Sequence, residues 1–488
     1  MIPLLFILIP LLTGLAGFLI KEEKFAKSWA ILSAIVTLGV SIAGVAIYNK
    51  SSAALSFNAE WLPALGSSFR LRADGMSQVL CLLTAISFPL TFIATYKNHY
   101  KNPSAFYALM LLSQAGLMGV FVAADALLFY FFWELALIPV YFLCSIWGGE
   151  RRIAVTFKFF IYTFVGSLLM LVGLIYLYLQ TPDQSFALDS FYQLQLAPGQ
   201  QQLVFWLLFI AFAIKMPIFP FHTWQPDTYE QSPTAVTMVL SGIMVKMGVF
   251  GLIRWVVPIV PLGSWVYGDR VSILSIIGII YASLIAIRQD DLKRFVAYSS
   301  IAHVGLMCLA IFATNSSSMQ GVMIQMFNHG INIIGLWIVV DAIEQQFGTR
   351  KMSQLGGLAK QAPGLAILLV VVALANVALP LTNAFVGEFM MFNGIFSSKA
   401  TQYGMVFTVA AGVSIILSAW YTLNMIQRVF YGSNTQQTFA QVGDVRPNAK
   451  LALVVLVLII VVVGVYPSVL LDITRNTSEF ILSKMFTN

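Results

Sequence analysis

The sequence predicts an all-α polytopic membrane protein with about 14 transmembrane helices, including two inverted five-helix repeats and two discontinuous helices. The first observation is composition: 59% of the 488 residues are apolar, only 10% are charged, and the mean hydropathy is +0.85. The second is a long series of apolar runs of about 20 residues, the length that crosses a hydrocarbon core of ~30 Å. The third is a proline-interrupted apolar segment that is echoed five spans later.

Run length places the individual spans. Fourteen apolar runs are long enough to cross the membrane, near 2–20, 28–48, 75–96, 104–123, 125–147, 153–180, 202–222, 234–256, 271–287, 295–314, 319–341, 363–396, 404–428 and 449–471. The first run has no basic segment and no small-residue cleavage site before Lys21, which predicts a retained span rather than a signal peptide. The run at 363–396 would be ~50 Å long as a straight helix. We therefore predict a break around Pro380 to Asn383.

The loops predict the orientation of the chain. Of the 27 Lys and Arg residues, 17 fall in loops after odd-numbered spans and 8 in loops on the other side. By the positive-inside rule, both termini are expected outside a multi-pass protein of the cell inner (plasma) membrane. The polar interruption at 49–74 is expected to be an ordered external loop or hairpin. The Gln-rich stretch at 432–448 is expected to be a flexible cytoplasmic loop.

Two broken helices predict the repeat organisation. KMPIFPFHTW in span 7 and ALPLTNAFVGEF in span 12 each place an ionisable residue beside a proline-interrupted helix. An offset of five spans reverses the direction across the membrane, which is the signature of inverted repeats. The expected units are 1–103 (helices 1–3 and the external loop), 104–256 (first repeat, helices 4–8), 271–430 (second, inverted repeat, helices 9–13) and 431–488 (cytoplasmic loop and helix 14).

Several classes of function are excluded by what the sequence contains. Cys81, Cys144 and Cys308 lie far apart in apolar segments, and their spacing fits no disulfide framework, zinc site, iron–sulfur cluster or haem c. No phosphate-binding loop or GxGxxG motif is present. The basic residues are scattered, which does not favour nucleic acid as a partner. We therefore expect no cofactor or metal to be bound by this chain.

Two lysines and a glutamate are placed where charge is costly. Lys215 follows fourteen uncharged residues, QQLVFWLLFIAFAI, and Lys246 is the only charge in TAVTMVLSGIMVKMGVFGLI. An ammonium at the bilayer centre costs at least ~3 kcal/mol. Glu134 lies nine residues after Asp125, which puts it ~14 Å deep, at a similar level. A carboxylate beside a lysine keeps both charged, and a conformational change in that pairing lets the lysine release or take a proton.

Three further ionisable residues extend this set. His303, His329 and Glu388 lie within predicted spans 10, 11 and 12. The series Lys246, His303, His329 and Glu388 connects the first repeat to the second and is expected to form a relay at membrane level. Histidine suits such a relay because both ring nitrogens can carry protons.

Each of these residues also has a plainer interpretation. Glu134 and the two lysines could form a buried ion pair without a transport role, and the histidines could be packing residues or haem b ligands. His222 is expected to orient the broken helix rather than carry protons. Asp125, Asp341 and Arg254 are expected to be interface residues rather than conduits.

Long motifs resemble a known family. KMPIFPFHTWQPDTYEQSPT, DALLFYFFWELALIPVYFL, DLKRFVAYSSIAHVGLM and NAFVGEFMMFNGIF are similar to the antiporter-like membrane subunits of proton-translocating NADH:quinone oxidoreductase (respiratory complex I) and of multi-subunit sodium/proton antiporters. The resemblance runs from about span 3 to span 13. Glu388 favours the M-type subunit, because L- and N-type subunits usually have lysine there. The D-type antiporter subunit also has a glutamate, so that alternative stays open.

The resemblance implies roles for the buried residues. Glu134 and Lys215 would be the central ion pair, Lys246 the connecting lysine and Glu388 the carrier on the exit side, with the two histidines on the relay between them. The segment QPDTYEQSPT departs from the usual sequence of the family, because Gln225 and Tyr229 replace an apolar residue and a histidine. That loop is therefore less suited to handling protons itself.

The resemblance also implies partners and an enzyme class. The chain would be a subunit of a proton-translocating NADH:quinone oxidoreductase without a redox centre of its own. NADH, FMN, iron–sulfur clusters and quinone would be used in other subunits, and the neighbours would be L-type and N-type subunits and lipid. The alternatives are a D-type subunit of a multi-subunit sodium/proton antiporter, a stand-alone secondary transporter, and a passive scaffold.

Overall fold

The computed structural model describes residues 1–48, 53–433 and 443–487. The flexible loop predicted at 432–448 falls mainly on residues 434–442, which lie outside the described residues. The first part of the chain forms α1 (Ile2–Gly17), α2 (Glu23–Ile47), β1 (Ser56–Leu62), β2 (Ser67–Arg72), α3 (Gly75–Ala94), α4 (Pro103–Val122), α5 (Ala126–Trp147) and α6 (Arg152–Gln180).

The middle of the chain contains the first broken helix and two π-helical segments. Its helices are α7 (Leu188–Phe191), α8 (Pro198–Lys215), α9 (Trp224–Gln231), α10 (Thr234–Val239), α11 (Val245–Gly251) and α12 (Pro261–Arg288). The π-helical segments, Leu240–Met244 and Leu252–Val256, lie on either side of α11. Together with α10 and α11 they make one span, Thr234–Val256, which is buried along its whole length.

The last part contains the second broken helix. Its helices are α13 (Leu292–Ile311), α14 (Ser316–Phe347), α15 (Leu358–Gln361), α16 (Pro363–Asn376), α17 (Asn383–Phe396), α18 (Gly404–Ile426), α19 (Pro447–Val465) and α20 (Ser468–Thr487). Among the described residues, eleven helices are long and apolar enough to cross a membrane. The other three predicted spans correspond to α1 and to the two broken helices, so the chain is a multi-pass membrane protein.

The second break lies where the sequence predicts it. α16 ends at Asn376 and α17 begins at Asn383, with Pro380 between them. Proline lacks the backbone N–H that a continuous helix needs. Ala378 and Leu381 have φ of 58° and 71°, a left-handed conformation that non-glycine residues adopt at a cost. The break is therefore a built feature of the span, held by the packing around it.

Several predicted boundaries are wrong. The ninth span was expected to begin at 271, but α12 begins at Pro261, and the eleventh was expected to end at 341, but α14 ends at Phe347. The seventh span was expected to end at 222, but α8 ends at Lys215 and the span continues as α9, whose only proline lies in the first turn, where proline is tolerated. The last span was expected to reach 471, but α19 ends at Val465. Pro467 disfavours helix at the preceding Tyr466, and the separate helix α20 follows.

The ordered hairpin predicted within 49–74 is confirmed for its described part. β1 and β2 pair antiparallel, with Ala59 opposite Phe69 and an irregularity between Glu60 and Leu62. We call the side of the protein that carries this hairpin the hairpin face and the opposite side the basic face. The basic face carries the loops that follow odd-numbered spans.

The two repeats use the same device on opposite faces. Asp125 caps α5 by accepting from Leu127 N and Leu128 N, and it forms a backbone bridge with Ala187 at the hairpin face. Asp291 caps α13 by accepting from the N–H groups of the second and third residues after it, and it bridges Lys351 at the basic face. α5 and α13 are the second helices of the two repeats, so the matching caps agree with an inverted arrangement.

Candidate functional site

The two buried lysines lie at irregular points of their helices. Lys215 is the last residue of α8, directly before the first break, and is 2% exposed. Lys246 is fully buried in the short α11, between the two π-helical segments. π-helical turns inside α-helices are frequent at functional sites. Ser241 lies within the first of them, and its carbonyl oxygen accepts a hydrogen bond from Lys246 Nζ at 2.8 Å.

Lys215 is surrounded by aromatic rings and by one carboxylate. Its Nζ lies 5.5 Å from the centroid of the Trp133 ring and 6.0 Å from that of Phe159, distances at which a ring face stabilises a cation. Glu134 of α5 interacts with Lys215 electrostatically. Within the described residues, however, Lys215 Nζ and Glu134 Oε1 have no hydrogen-bond partner. The predicted pair is therefore coupled through space, without direct contact.

Lys246, His329, His303 and Glu388 form a buried chain with hydrogen bonds at its two ends and a ring–ring contact, without a hydrogen bond, between the two histidines. Lys246 Nζ lies 2.8 Å from His329 Nδ1, and the rings of His329 and His303 are 5.7 Å apart between centroids. His303 Nδ1 lies 3.2 Å from Glu388 Oε1. The order differs from the order along the sequence, because His329 contacts the lysine and His303 contacts the glutamate. The chain joins the last helix of the first repeat to three helices of the second.

The contacts assign the protons of the neutral histidines. An ammonium can only donate, so His329 Nδ1 accepts from Lys246 and the ring proton lies on Nε2. Asn376 Nδ2 lies 3.4 Å from His303 Nε2, and an amide nitrogen also donates. The proton of His303 therefore lies on Nδ1, where it is donated to the Glu388 carboxylate.

Polar residues that the sequence analysis did not single out support the His303 end of the chain. Asn376, which ends α16 at the second break, also donates to Ser299 Oγ at 3.3 Å. Ser299 Oγ lies 3.1 Å from the Tyr421 hydroxyl, and Gln325 Nε2 lies 3.5 Å from Glu388 Oε1. The sequence did offer a signal for Asn376, which is a polar residue at the end of an apolar run, beside a predicted break.

A small cavity adjoins the end of the chain. It has a volume of about 10 Å³, room for about one water molecule. Its polar lining comes from four helices of the second repeat: Ser283, His303, Glu388, Ser414, Ser418 and Tyr421. The cavity gives Glu388 a polar contact beside the chain.

Two alternatives for the histidines can be weighed from this geometry. A haem held between His303 and His329 does not fit, because the cavity beside His303 has room for about one water molecule and both His303 ring nitrogens contact neighbouring side chains. His222 does not join the chain in the described structure. It is stacked on Phe219 at 5.7 Å and meets Tyr281 edge-on at 5.2 Å.

Comparison with known proteins gives the family. The family model described as NADH:quinone oxidoreductase/Mrp antiporter, TM, matches residues 123–418. Subunit M of F(420)H(2) dehydrogenase from Methanosarcina mazei is 36% identical, over 98% of this chain and 97% of that protein. NADH-quinone oxidoreductase subunit M is 35% identical in Rhodobacter capsulatus (92% and 89% covered) and 32% identical in Escherichia coli K12 (96% and 95%).

Solved structures agree with this fold. A chain of respiratory complex I from Thermus thermophilus with bound NADH superposes with a TM-score of 0.92 at 27% identity, covering 99% of this chain and all of that one. A chain of the Mrp complex from Dietzia sp. DQ12-45-1b has a TM-score of 0.86 at 18% identity, with 99% of each chain covered, a likeness of fold alone. This chain therefore belongs to the family of antiporter-like membrane subunits described as NADH:quinone oxidoreductase/Mrp antiporter.

Proposed function

We propose that this chain is the M-type, proton-translocating membrane subunit of an NADH:quinone oxidoreductase. The observation that supports this most strongly is the buried chain from Lys246 through His329 and His303 to Glu388, in a protein whose relatives are subunits M along nearly their full length. The two units expected at 104–256 and 271–430 would then each contribute one part of a single proton path.

The proposed transfer is triggered at Lys215. The electrostatic attraction of Glu134 favours the ammonium form of this lysine. A change that moves the two apart favours the neutral amine, since a buried ammonium without its carboxylate is costly. A buried ammonium is costly at Lys246 as well, and its proton is already aimed at His329 Nδ1. Redox energy released elsewhere would reach the chain as this change in pairing.

The second half of the transfer uses the two tautomers. When His329 takes the Lys246 proton on Nδ1, it becomes a cation and can give up its Nε2 proton toward His303. His303 takes a proton on Nε2 as it passes its Nδ1 proton to the Glu388 carboxylate. Glu388 then releases the proton toward the cavity beside it. Each step moves one proton and leaves the donor one unit less positive.

The energy needed to move one proton across the membrane is similar to the energy available from a change in one ion pair. Moving a proton against 100 mV takes ~2.3 kcal/mol. A difference of two pKa units between two conformations of a lysine corresponds to ~2.7 kcal/mol. A conformational change that alters one ion pair is therefore large enough to drive one proton.

The partners and setting follow from the proposal. L-type and N-type subunits would flank this chain in the cell inner (plasma) membrane, with both termini outside. The asymmetry of basic residues between the two faces supports this orientation. NADH, FMN, iron–sulfur clusters and quinone would be bound by other subunits of the complex.

A second candidate concerns the electron donor. The relative from Methanosarcina mazei is a subunit of an F(420)H(2) dehydrogenase and is 36% identical, which makes F(420)H(2) the alternative donor to NADH. The donor is bound elsewhere in either case. Quinone reduction by membranes from the native organism, measured with NADH and with F420H2 in turn, separates the two.

The proposed function is tested by removing the first pair. We predict that Lys215→Ala and Glu134→Ala each abolish most NADH-driven proton pumping in inverted membrane vesicles, while the complex still assembles. The matched control is Lys21→Ala, which removes an exposed lysine from a loop on the basic face. Normal pumping by vesicles with fully assembled Lys215→Ala complex would show that the lysine has only a structural role.

A further inference from the structure

A polar cavity opens at the basic face, between the two repeats. Its volume is about 510 Å³, and it is lined by Glu230, Lys293, Glu344 and Arg350, among others. Lys293 is 5% exposed and forms its floor: Nζ lies 3.2 Å from Glu344 Oε2 and 3.5 Å from the carbonyl oxygen of Ser232. A cavity of this size and polarity admits water to the base of the membrane span.

Behind this floor lies a buried carboxylate that the proton chain does not use. Asp341 of α14 is 6% exposed and lies one turn before Glu344. Asn98 Nδ2 donates to its two oxygens at 3.3 and 3.2 Å, and the Thr234 side chain lies close enough to interact with it. Lys293 acts on it through space. Asp341 therefore lies between a polar cavity and the first residue of α10.

Hydroxyl groups continue from that point toward Lys246. Thr234, Thr237 and Ser241 are spaced by three and four residues, which places them on one side of the span. Ser241 Oγ donates to the Thr237 carbonyl oxygen at 2.8 Å, and the Ser241 carbonyl oxygen accepts from Lys246 Nζ. These residues form a polar strip through an otherwise apolar helix.

Tyr229 extends the same strip from α9. Its ring is fully buried and meets Trp337 of α14 edge-on at 5.9 Å, and Thr237 Oγ1 lies 3.4 Å from its carbonyl oxygen. Its hydroxyl oxygen has no hydrogen-bond partner among the described residues. A buried hydroxyl in this position calls for water or a mobile proton donor beside it.

We propose that Asp341 is the proton-uptake group of this subunit at the basic face, an assignment that rests on the proposed function. A proton from cavity water protonates the carboxylate, which releases it to water beside the polar strip of Thr234, Tyr229, Thr237 and Ser241, and this water protonates the neutral amine of Lys246. The carboxylate is thereby restored to its charged form. This proposal replaces the expectation that Asp341 is only an interface residue, because Asp341 has Lys293 of the cavity on one side and Thr234 of the buried span on the other.

The test is the proton-pumping rate of inverted vesicles, which expose the basic face, measured against the pH of the medium. Asp341→Asn keeps the shape of the side chain and the contact with Asn98 but cannot carry a proton. We expect it to slow pumping by about 100-fold or more, as for the loss of one positioned acid–base group. The loss should deepen at alkaline pH, where protons are scarce, and Asp341→Glu should restore pumping.

The groups around Asp341 define the controls. Lys293 of α13, Glu344 on its own helix and Tyr100 before α4 act on it electrostatically. Asp290→Asn is the matched control, since Asp290 is a half-exposed carboxylate at the same face that contacts Arg428 and Ser353 instead. Its pumping rate and pH profile should match those of the unmodified complex.

Two further variants make the outcome decisive. Lys246→Ala tests the proposed function in the same vesicles. If Lys246→Ala stops pumping while assembled Asp341→Asn complex pumps at the unmodified rate and pH profile, only the uptake role is overturned. If Lys246→Ala also pumps normally, the proposed function itself fails. Should Asp341→Asn prevent assembly, the double variant Tyr229→Phe with Thr237→Val, which keeps the packing, must slow pumping for the assignment to stand.

Discussion

At the scale of single residues, Lys215 and Lys246 are stabilised by different kinds of interaction. Lys246 Nζ has two direct partners, the Ser241 carbonyl oxygen and His329 Nδ1. Lys215 Nζ has ring faces and a carboxylate that acts only through space. A hydrogen-bonded ammonium keeps its proton aimed at one acceptor, whereas an electrostatically held one responds to small movements of the carboxylate. Lys215 therefore suits the role of sensor and Lys246 that of donor.

A residue-scale prediction concerns the end of the chain. Glu388 accepts from His303 and lies beside the small cavity, so a protonatable group there is what transfer requires. Glu388→Lys should retain more proton pumping than Glu388→Ala, measured per electron in assembled complex. Equal loss in the two variants would mean that the carboxylate itself, and not its ability to take a proton, is needed.

At the scale of elements, close approach of two backbones positions the lysines. A Cβ added to Gly248 would lie 2.6 Å from the Phe212 carbonyl oxygen and 2.8 Å from Met216 N. Gly248 is two residues after Lys246, and Phe212 and Met216 flank Lys215. Only glycine allows α11 to touch the end of α8 in this way. The spacing between the two lysines is therefore fixed by a residue without a side chain.

We predict that Gly248→Ala destabilises the protein by about 1–3 kcal/mol, as overpacking of a tight interior does. Pumping should fall with it, because α8 and α11 are forced apart. The matched control is Gly412→Ala in α18, where an added Cβ meets nothing within 4 Å. Thermal unfolding in detergent and pumping in vesicles measure the two effects. Equal thermal stability of the two variants would contradict the close-approach argument.

The elements also show how much of the fold can be predicted from the sequence. Long apolar runs predict the spans, and Pro380 predicts the second break, because both signals are local. α9 was missed because WQPDTYEQ is polar yet completes a broken span. The order of the two histidines was missed because it depends on how α13 packs on α14. The separation between Glu134 and Lys215 likewise depends on tertiary packing, which residue spacing does not predict.

At the scale of the whole molecule, ion pairs tie the two repeats together at the basic face. Arg294 of α13 contacts Asp227 at 3.1 Å and Glu230 at 2.8 Å, both on α9. Arg350 contacts Asp291 at 2.5 Å and also reaches Glu230. The hairpin face is instead tied by Asp125, which accepts from the hairpin residue Ser67. The first broken span is thus anchored by charge at α9.

A whole-molecule prediction concerns orientation. A cysteine at Lys21 lies in a loop of the basic face, and a cysteine at Arg475 lies on exposed α20. The native cysteines are all buried, which keeps the background low. An impermeant maleimide should label Arg475→Cys in intact cells and Lys21→Cys only in inverted vesicles. The reverse pattern would place the basic face outside and overturn the assigned direction of transport.

The most direct test of the account is the number of protons pumped per electron by reconstituted complex carrying His329→Gln. Glutamine offers Lys246 an acceptor oxygen, so the lysine stays partnered and the helices stay packed, but an amide cannot relay a proton. We predict full assembly, continued electron transfer and a clear fall in protons pumped per electron. An unchanged ratio in fully assembled complex would show that protons do not pass through the chain from Lys246 to Glu388.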